Sequence, residues 1–188
     1  MIKIGITGSL ASGKTTASKL LSFKRGPLFS ADKAVKELYH NKNLKSLIEK
    51  RFRIKNNNQI KKSLKNLILK DKKNIKRLEK IIHPLVRKKM RNFTSQNRNK
   101  KFLFYEIPLL IESKLMKNFN VIIFIKANKK LRFRRFQLKS GDKKMFNVLN
   151  DKQMTDAQKI KYCDYVVVNE KNLNILKKNL LAIIDKYE

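Results

Sequence analysis

Eight consecutive residues near the start of the sequence have the types and the spacing of a phosphate-binding loop. They run Gly-Ser-Leu-Ala-Ser-Gly-Lys-Thr from Gly8 to Thr15. Glycines let the backbone curl so that successive N–H groups point at phosphate oxygens, and a following helix adds the positive end of its dipole. The lysine can then reach the β- and γ-phosphates, and the threonine hydroxyl can ligate Mg²⁺. The motif predicts ATP binding by Gly8, Ser9, Leu10, Ala11, Ser12, Gly13, Lys14, Thr15 and Thr16, with Thr15 as the metal ligand.

Three carboxylates stand at the ends of predicted strands or in the turns that follow them. Asp32 follows the second strand by two residues, near the carboxyl edge of the sheet, where it could act as a base. It could equally cap the helix that begins after it. Glu106 closes the third strand and could hold Mg²⁺ through water, while Glu112 ends a turn that starts at Pro108. Either glutamate could instead pair with one of the many lysines.

A basic cluster follows the fourth predicted strand. Arg132, Arg134, Arg135 and Lys139 fall on one predicted helix, and Arg135 and Lys139 are four residues apart and so share a face. Arginine on a mobile lid can neutralise a transferring phosphoryl group and exclude water. The alternative is a basic face exposed to solvent.

The elements that must position these residues alternate between strand and helix. Strands are predicted at residues 2–7, 27–30, 102–107, 121–126 and 165–168. Helices are predicted at residues 14–22, 31–40, 128–139, 151–162 and 171–187, with a loop at 140–142. Residues 43–96 are helical in pattern and very basic, with His83 and Pro84 between two helical stretches and Pro84 in a first turn. Strands separated by such crossovers predict an α/β fold with a parallel sheet covered on both faces.

The composition allows a packed core but carries a large positive charge. The 188 residues are 41% hydrophobic, and 47 Lys and Arg against 14 Asp and Glu give a net charge of +33. The basic residues are scattered and accompany abundant Asn and Ile, which indicates coding bias more than a nucleic-acid site. Cys163 is the single cysteine, so no disulfide framework is possible. With no signal-like start and no long apolar run, we expect a cytoplasmic protein without a membrane or specific nucleic-acid partner.

The order of these motifs resembles the dephospho-coenzyme A kinase family. The likeness extends nearly end to end, and its most specific parts are the His83–Pro84 pair and the Pro-Leu-Leu-x-Glu run from Pro108 to Glu112. It continues through the helix around Arg135 and from Gln153 to Asn169. Three positions depart from the family pattern, which commonly has Asp where Ser30 stands here and Arg where Lys139 and Leu149 stand.

The resemblance implies a three-layer P-loop kinase fold with a five-stranded parallel sheet, a helical acceptor-binding lobe and a lid. The expected organisation is one domain, with a core at 1–32, 97–127 and 156–188, a lobe at about 33–96 and a lid at about 128–155. The implied reaction transfers the ATP γ-phosphate to the 3′-hydroxyl of dephospho-coenzyme A. The implied site residues are Lys14, Asp32 and Arg135 for catalysis, Asn169 for adenine, and Asp32, His83, Pro108, Leu109 and Glu112 for the acceptor.

Two other functions fit parts of the sequence. Another P-loop kinase, for a nucleoside monophosphate or a small metabolite, would share the P-loop and differ in the acceptor lobe. An ATP-dependent nucleic-acid-binding protein is suggested by the charge alone, without a recognition motif or an aromatic platform. We expect a monomer or a weak homo-oligomer that uses ATP and Mg²⁺.

Overall fold

The computed structural model describes residues 1–54, 60–71, 73–139 and 141–188, apart from the side chain of Lys61. Residue 140 of the predicted loop lies outside the described residues. The chain forms two compact units, one of Met1–Ser30 with Thr94–Glu188 and one of Ala31–Phe93.

The larger unit is built on a parallel sheet of five strands in the order β2-β3-β1-β4-β5. The strands are β1 (Ile2–Gly8), β2 (Leu28–Ser30), β3 (Phe102–Glu106), β4 (Val121–Lys126) and β5 (Tyr165–Val168). β1 is central because Ile4 pairs with Phe104 on one side and with Val121 on the other. All five residues of β3 are buried, as expected for a strand covered on both faces. The predicted α/β class and five-stranded parallel sheet are therefore confirmed.

Helices pack against this sheet through its apolar residues. α1 (Lys14–Ser22) follows the P-loop, and α9 (Leu173–Ile184) follows β5. Ala17 and Leu21 of α1, Leu180 of α9, and Ile4 and Ile123 of the sheet are fully buried in one cluster. This core fixes the start of α1 and, with it, the loop that carries Lys14.

Between β4 and β5 the helices differ from the prediction. The structure has α6 (Lys129–Gln137), α7 (Lys143–Asp151) and α8 (Asp156–Ile160), so a continuous helix over 151–162 is wrong. Asp142 caps α7 by accepting from the N–H of Met145, and Phe146 is buried against the ring of Phe133 at a centroid distance of 5.2 Å. Thr155 caps α8, which accounts for the break.

The smaller unit is helical. It contains α2 (Ala31–Leu38), α3 (Lys42–Phe52), α4 (Ile60–Lys70) and most of α5 (Lys73–Gln96). Ile48, Phe52, Leu64 and Ile82 lie in its buried cluster. Pro84 lies inside α5, so its predicted place in a first turn is wrong. A proline there cannot supply an N–H to the helix ladder, and the packed apolar face of α5 keeps the helix continuous. None of the helices in the described ranges has the length and apolar character to cross a membrane.

Candidate active site

The P-loop leaves the sheet at the end of its central strand. Gly8 has φ 150° and Gly13 has φ 97°, both in the left-handed half of the map that favours glycine. A Cβ on Gly8 would also press on the carbonyl oxygen of Ile125, and a Cβ on Gly13 would collide with the side-chain amide of Asn169. Glycine is therefore required at both positions by backbone angle and by space.

Lys14 begins α1 and its ammonium group turns back over the loop. Nζ donates to the carbonyl of Ser9 at 2.9 Å and to that of Gly8 at 3.1 Å, and only 7% of the residue is exposed. These contacts hold a positive charge beside the loop. At a helix start, where the first N–H groups have no partner within the helix, this charge favours an anion.

Thr15 and Glu106 meet at the edge of the sheet. The Thr15 hydroxyl donates to Glu106 Oε1 at 2.5 Å, and Glu106 is 2% exposed at the end of β3. Hard oxygen atoms of this kind suit Mg²⁺, which protein sites usually hold by few side chains together with water and phosphate oxygens. No group of three or more His, Cys, Asp or Glu side chains suited to a metal ion occurs in the described parts of the chain. Phosphate oxygens would have to complete such a site.

Ser12, Asn169 and Arg135 come together although they are distant in sequence. The Asn169 side-chain amide donates to the Ser12 carbonyl at 2.8 Å, and Arg135 donates to the same carbonyl at 3.3 Å and to the Asn169 carbonyl at 3.1 Å. The Ser12 hydroxyl is buried and has no hydrogen-bond partner among the described residues. An orphaned hydroxyl inside the loop fits a phosphate oxygen as its partner.

Arg132 is buried, unlike the other basic residues of its helix. Its Nη1 donates to the Leu10 carbonyl at 3.3 Å and to Asn150 Oδ1 at 2.9 Å, and it is 7% exposed. Burial lowers the pKa of its guanidinium, and the charge of Asp156 partly offsets this. Arg134 and Lys139 are exposed. Because α6 ends at Gln137, the prediction that Lys139 shares a helix face with Arg135 is wrong.

The turn after β3 carries the predicted acceptor residues Pro108, Leu109 and Glu112. The Pro108 carbonyl accepts from the Thr7 hydroxyl at 3.2 Å, and Leu109 is half-buried. Glu112 Oε1 accepts from the N–H of Met154 at 3.1 Å and lies 2.7 Å from Lys159 Nζ. The structure therefore gives Glu112 an ion pair with lysine, the alternative that its sequence position left open.

Known proteins resemble this chain over nearly its full length. A model of the dephospho-CoA kinase family matches residues 2–174. The dephospho-CoA kinase of Bartonella quintana is 34% identical over 187 residues, which cover 97% of this chain and 96% of that protein. The chain belongs to the dephospho-CoA kinase family.

Solved structures agree with this membership. TT1252 from Thermus thermophilus superposes with a TM-score of 0.81 at 27% identity, covering 98% of this chain and 97% of that one. Dephospho-CoA kinase from Campylobacter jejuni gives a TM-score of 0.67 at 26% identity, with 98% and 96% covered. The predicted family, P-loop kinase fold and phosphotransferase class are confirmed. A kinase of this family uses a nucleotide and a small-molecule substrate.

Two of the site residues that the resemblance to the dephospho-CoA kinase family implied for this chain lie in the helical unit. Asp32 is exposed in the first turn of α2, which begins at Ala31, so it does not occupy the position before the helix that a cap requires. His83 is half-buried in the middle of α5. Their roles in catalysis and acceptor binding stay predictions.

Sequence reasoning assigned no role to two side chains that contact the P-loop. Gln153 Oε1 accepts from the N–H of Leu10 at 3.0 Å, and Asp156 accepts from the Ser9 hydroxyl. One signal was present, because Thr-Asp-Ala-Gln from Thr155 to Gln158 has the pattern of a capping box, and both of its hydrogen bonds form. That pattern locates the start of α8, but no local pattern indicates its contact with the P-loop.

Proposed function

We propose that this chain transfers the γ-phosphate of ATP to the 3′-hydroxyl of dephospho-CoA and so produces ADP and coenzyme A. The observation that carries the proposal is the family match from residue 2 to residue 174. It is supported by a P-loop that retains every position of its motif between the central strand and α1. The reaction needs positioning and charge neutralisation more than covalent chemistry by the protein.

Lys14 and Arg135 supply positive charge at the P-loop in this proposal. Lys14 is held beside the loop by the carbonyls of Gly8 and Ser9, and Arg135 by those of Ser12 and Asn169. Charges fixed before the reaction stabilise a phosphoryl group as its charge spreads, without a reorganisation cost at that moment. Asn169, which holds the Ser12 carbonyl, is also our candidate for an adenine contact.

The hydroxyl of Thr15 and the carboxylate of Glu106 would hold Mg²⁺, the carboxylate through water. Their separation of 2.5 Å places a neutral and an anionic oxygen at one point of the sheet edge. When bound, the ion neutralises phosphate charge. Glu106 fixes the orientation of the Thr15 hydroxyl by accepting a hydrogen bond from it.

Five residues are assigned to acceptor binding, and each assignment has its own support. Asp32, two residues along the chain from the end of β2, would orient the acceptor hydroxyl and take its proton. His83 is assigned from the family pattern. Pro108, Leu109 and Glu112 line the turn after β3, where Glu112 Oε2 is buried without a hydrogen-bond partner among the described residues.

The wider organisation remains part of the proposal. We infer one P-loop kinase domain with a core at 1–32, 97–127 and 156–188, an acceptor lobe at about 33–96 and a lid at about 128–155. We also infer a monomer or weak homo-oligomer in the cytoplasm.

A coupled ADP-release assay across four acceptors tests the proposed reaction. Dephospho-CoA should support turnover, whereas AMP, CMP and shikimate should give only weak ADP release. The control is ADP release without acceptor, which reports ATP hydrolysis alone. Faster turnover of any other acceptor would contradict the proposed substrate and leave the fold and the P-loop assignment intact.

A further inference from the structure

Leu10, at the third position of the P-loop, has both of its backbone polar groups held by side chains from distant segments. Its N–H donates to Gln153 Oε1 at 3.0 Å, and its carbonyl accepts from Arg132 Nη1 at 3.3 Å. Asp156 accepts from the hydroxyl of Ser9, the residue before it. Buried or half-buried hydrogen bonds to backbone groups fix a loop more firmly than contacts between exposed side chains. The middle of the loop is thus held from outside.

Ala11, the next residue, has a backbone conformation that needs such support. Its φ of 58° lies in the left-handed region, which is unfavourable for a residue with a Cβ. On one side of Ala11, the N–H of Leu10 donates to Gln153. On the other side, the carbonyl of Ser12 accepts from Asn169 and Arg135. Strained conformations persist where the surroundings determine them from more than one side.

The segment that supplies Gln153 and Asp156, residues 153–159, is itself anchored by the carboxylate of Glu112, whose side chain is 17% exposed. Glu112 Oε1 accepts from the N–H of Met154 and pairs with Lys159 Nζ, and Lys159 has no exposed surface. The two anchored residues lie on either side of Asp156, and Met154 directly follows Gln153. Glu112 therefore fixes both ends of the segment that contacts the P-loop.

We propose that Gln153 and Asp156 are positioning residues for nucleotide binding, and that the Glu112–Lys159 ion pair holds them in place. They keep the P-loop in the conformation that receives phosphate and do not themselves contact the acceptor. The inference rests on the proposed function only in taking the P-loop as the nucleotide site. For Gln153 and Asp156 it predicts an effect on nucleotide affinity that is separable from acceptor recognition.

The test compares Gln153→Ala with Asp151→Ala in the full-length protein. Gln153 is half-exposed, so its truncation should leave the fold intact, and Asp151 is an exposed neighbour at the end of α7. Binding of Mg·ADP is measured by calorimetry, and the KM values for ATP and dephospho-CoA are measured separately. Loss of one hydrogen bond should weaken ADP binding about 3- to 10-fold in Gln153→Ala, with a parallel rise in the ATP KM. The KM for dephospho-CoA should stay within about 2-fold, and Asp151→Ala should match the wild type in all three measurements.

Two further comparisons test the roles of Asp156 and Lys159. Asp156→Asn keeps an oxygen that can accept from Ser9 and should bind ADP nearly as the wild type does, whereas Asp156→Ala should not. Lys159→Met should weaken ADP binding, and adding Gln153→Ala to it should weaken binding little further, because both changes release the same contact. If the double variant weakens ADP binding by the product of the two single-variant factors, the anchoring role is wrong.

The outcomes separate this inference from the proposed reaction. If wild-type protein turns over dephospho-CoA and Gln153→Ala binds Mg·ADP with unchanged affinity, the positioning role is wrong and the reaction stands. If Gln153→Ala weakens ADP binding while wild-type protein ignores dephospho-CoA, the positioning role stands and the proposed substrate is wrong. Equal rises in the KM values for ATP and dephospho-CoA would also overturn the inference, because they indicate a general loss of structure.

Discussion

Glu112 and Lys159 form an ion pair in which Oε1 and Nζ lie 2.7 Å apart and the lysine is fully buried. Glu112 also accepts from the Met154 N–H, while its second oxygen has no hydrogen-bond partner within the described ranges. A buried charge without its counter-ion is far more costly than the pair is favourable. Stability should therefore depend on whether one or both charges are removed.

Lys159→Met should lower the free energy of unfolding by about 3–5 kcal/mol, because it leaves the Glu112 carboxylate without a counter-ion. The double variant Glu112→Gln with Lys159→Met should regain most of that loss, since it buries no charge and keeps an acceptor for Met154. Urea denaturation gives the free energies.

Lys89→Met is the matched control. It breaks a pair with Glu37 whose side chains are 39% and 49% exposed, so its cost should be below about 1 kcal/mol. A double variant no more stable than Lys159→Met would contradict the account.

Lys14→Ala should abolish phosphoryl transfer and leave the fold in place. Lys14 is buried at the P-loop, where its ammonium group donates to two carbonyls of the loop, but it is not part of the apolar core cluster of the sheet, so its removal should cost little core packing. Loss of a fixed charge at the transferring group should lower turnover by about 10²-fold or more. Turnover and the thermal midpoint are measured on the same preparation. Lys19→Ala, an exposed lysine on the same helix, is the control and should behave as the wild type. Wild-type turnover by Lys14→Ala would overturn the P-loop assignment.

Local patterns in the sequence account for the sheet and for α1. The bounds of α1, β4 and β5 agree with the prediction, because a P-loop motif sets the start of α1 and short β-branched runs set the two strands. Thr15 and Glu106 could also be singled out as metal candidates. Thr15 is the second residue of α1 and Glu106 is the last residue of β3, and the sequence indicates where α1 begins and approximately where β3 ends.

Contacts between distant segments were beyond such patterns. Leu10 and Gln153 are separated by 143 positions, and only the folded chain brings them together. The sequence likewise does not distinguish Arg132, which is buried against the P-loop, from Arg134, which is exposed two residues later. Burial of one and exposure of the other follow from the packing of α6, and a helical period alone does not fix which face turns inward.

Cys163 should be unreactive in the folded protein at neutral and mildly alkaline pH. Burial, with a further contribution from Asp164, raises the pKa of its thiol from the usual 9.0 to about 12. The thiolate is the reactive form, so iodoacetamide at pH 8 should alkylate the folded chain about 10²-fold or more slowly than the urea-unfolded chain. Mass spectrometry follows the reaction. Comparable alkylation rates would show that the thiol is accessible and that its pKa is not raised.

The same pKa shift has a consequence for stability. The folded thiol holds its proton more tightly than the unfolded one, so its contribution to stability is fully present below pH 9 and is lost as the pH rises toward 12. Cys163→Ser should therefore show a weaker decline of stability with pH across that window. If the decline of stability with pH is the same in Cys163→Ser as in the wild type, it arises from other titrating groups.

The basic surface should not bind nucleic acid specifically. A net charge of +33 attracts any polyanion, but charge alone gives salt-dependent binding without sequence preference. Filter binding at physiological salt should show weak retention that is the same for unrelated DNA and RNA sequences. Submicromolar binding of one sequence that persists as salt is raised would contradict this prediction.

Asp32→Asn should lower turnover strongly and leave nucleotide binding unchanged. A ribose hydroxyl is a poor nucleophile at neutral pH, so a carboxylate that orients it and accepts its proton typically contributes about 10² to 10⁴-fold. Asparagine keeps the shape and much of the hydrogen-bonding capacity, so we expect a turnover loss of about 10²-fold or more and a stability change within about 1 kcal/mol. Turnover, ADP affinity and the urea midpoint are measured together.

The result for Asp32 also separates two ways in which a carboxylate can act. In a loose transition state the proton leaves late, and orientation of the hydroxyl then contributes more than basicity. The amide introduced by Asp32→Asn can still orient the hydroxyl, so a loss of only about 10-fold would assign the effect to positioning, whereas a loss beyond about 10²-fold requires proton transfer. Near-normal turnover of Asp32→Asn would exclude proton transfer, and near-normal turnover of Asp32→Ala as well would exclude orientation. Asp32 would then contribute only its negative charge to the first turn of α2, where it complements the helix dipole.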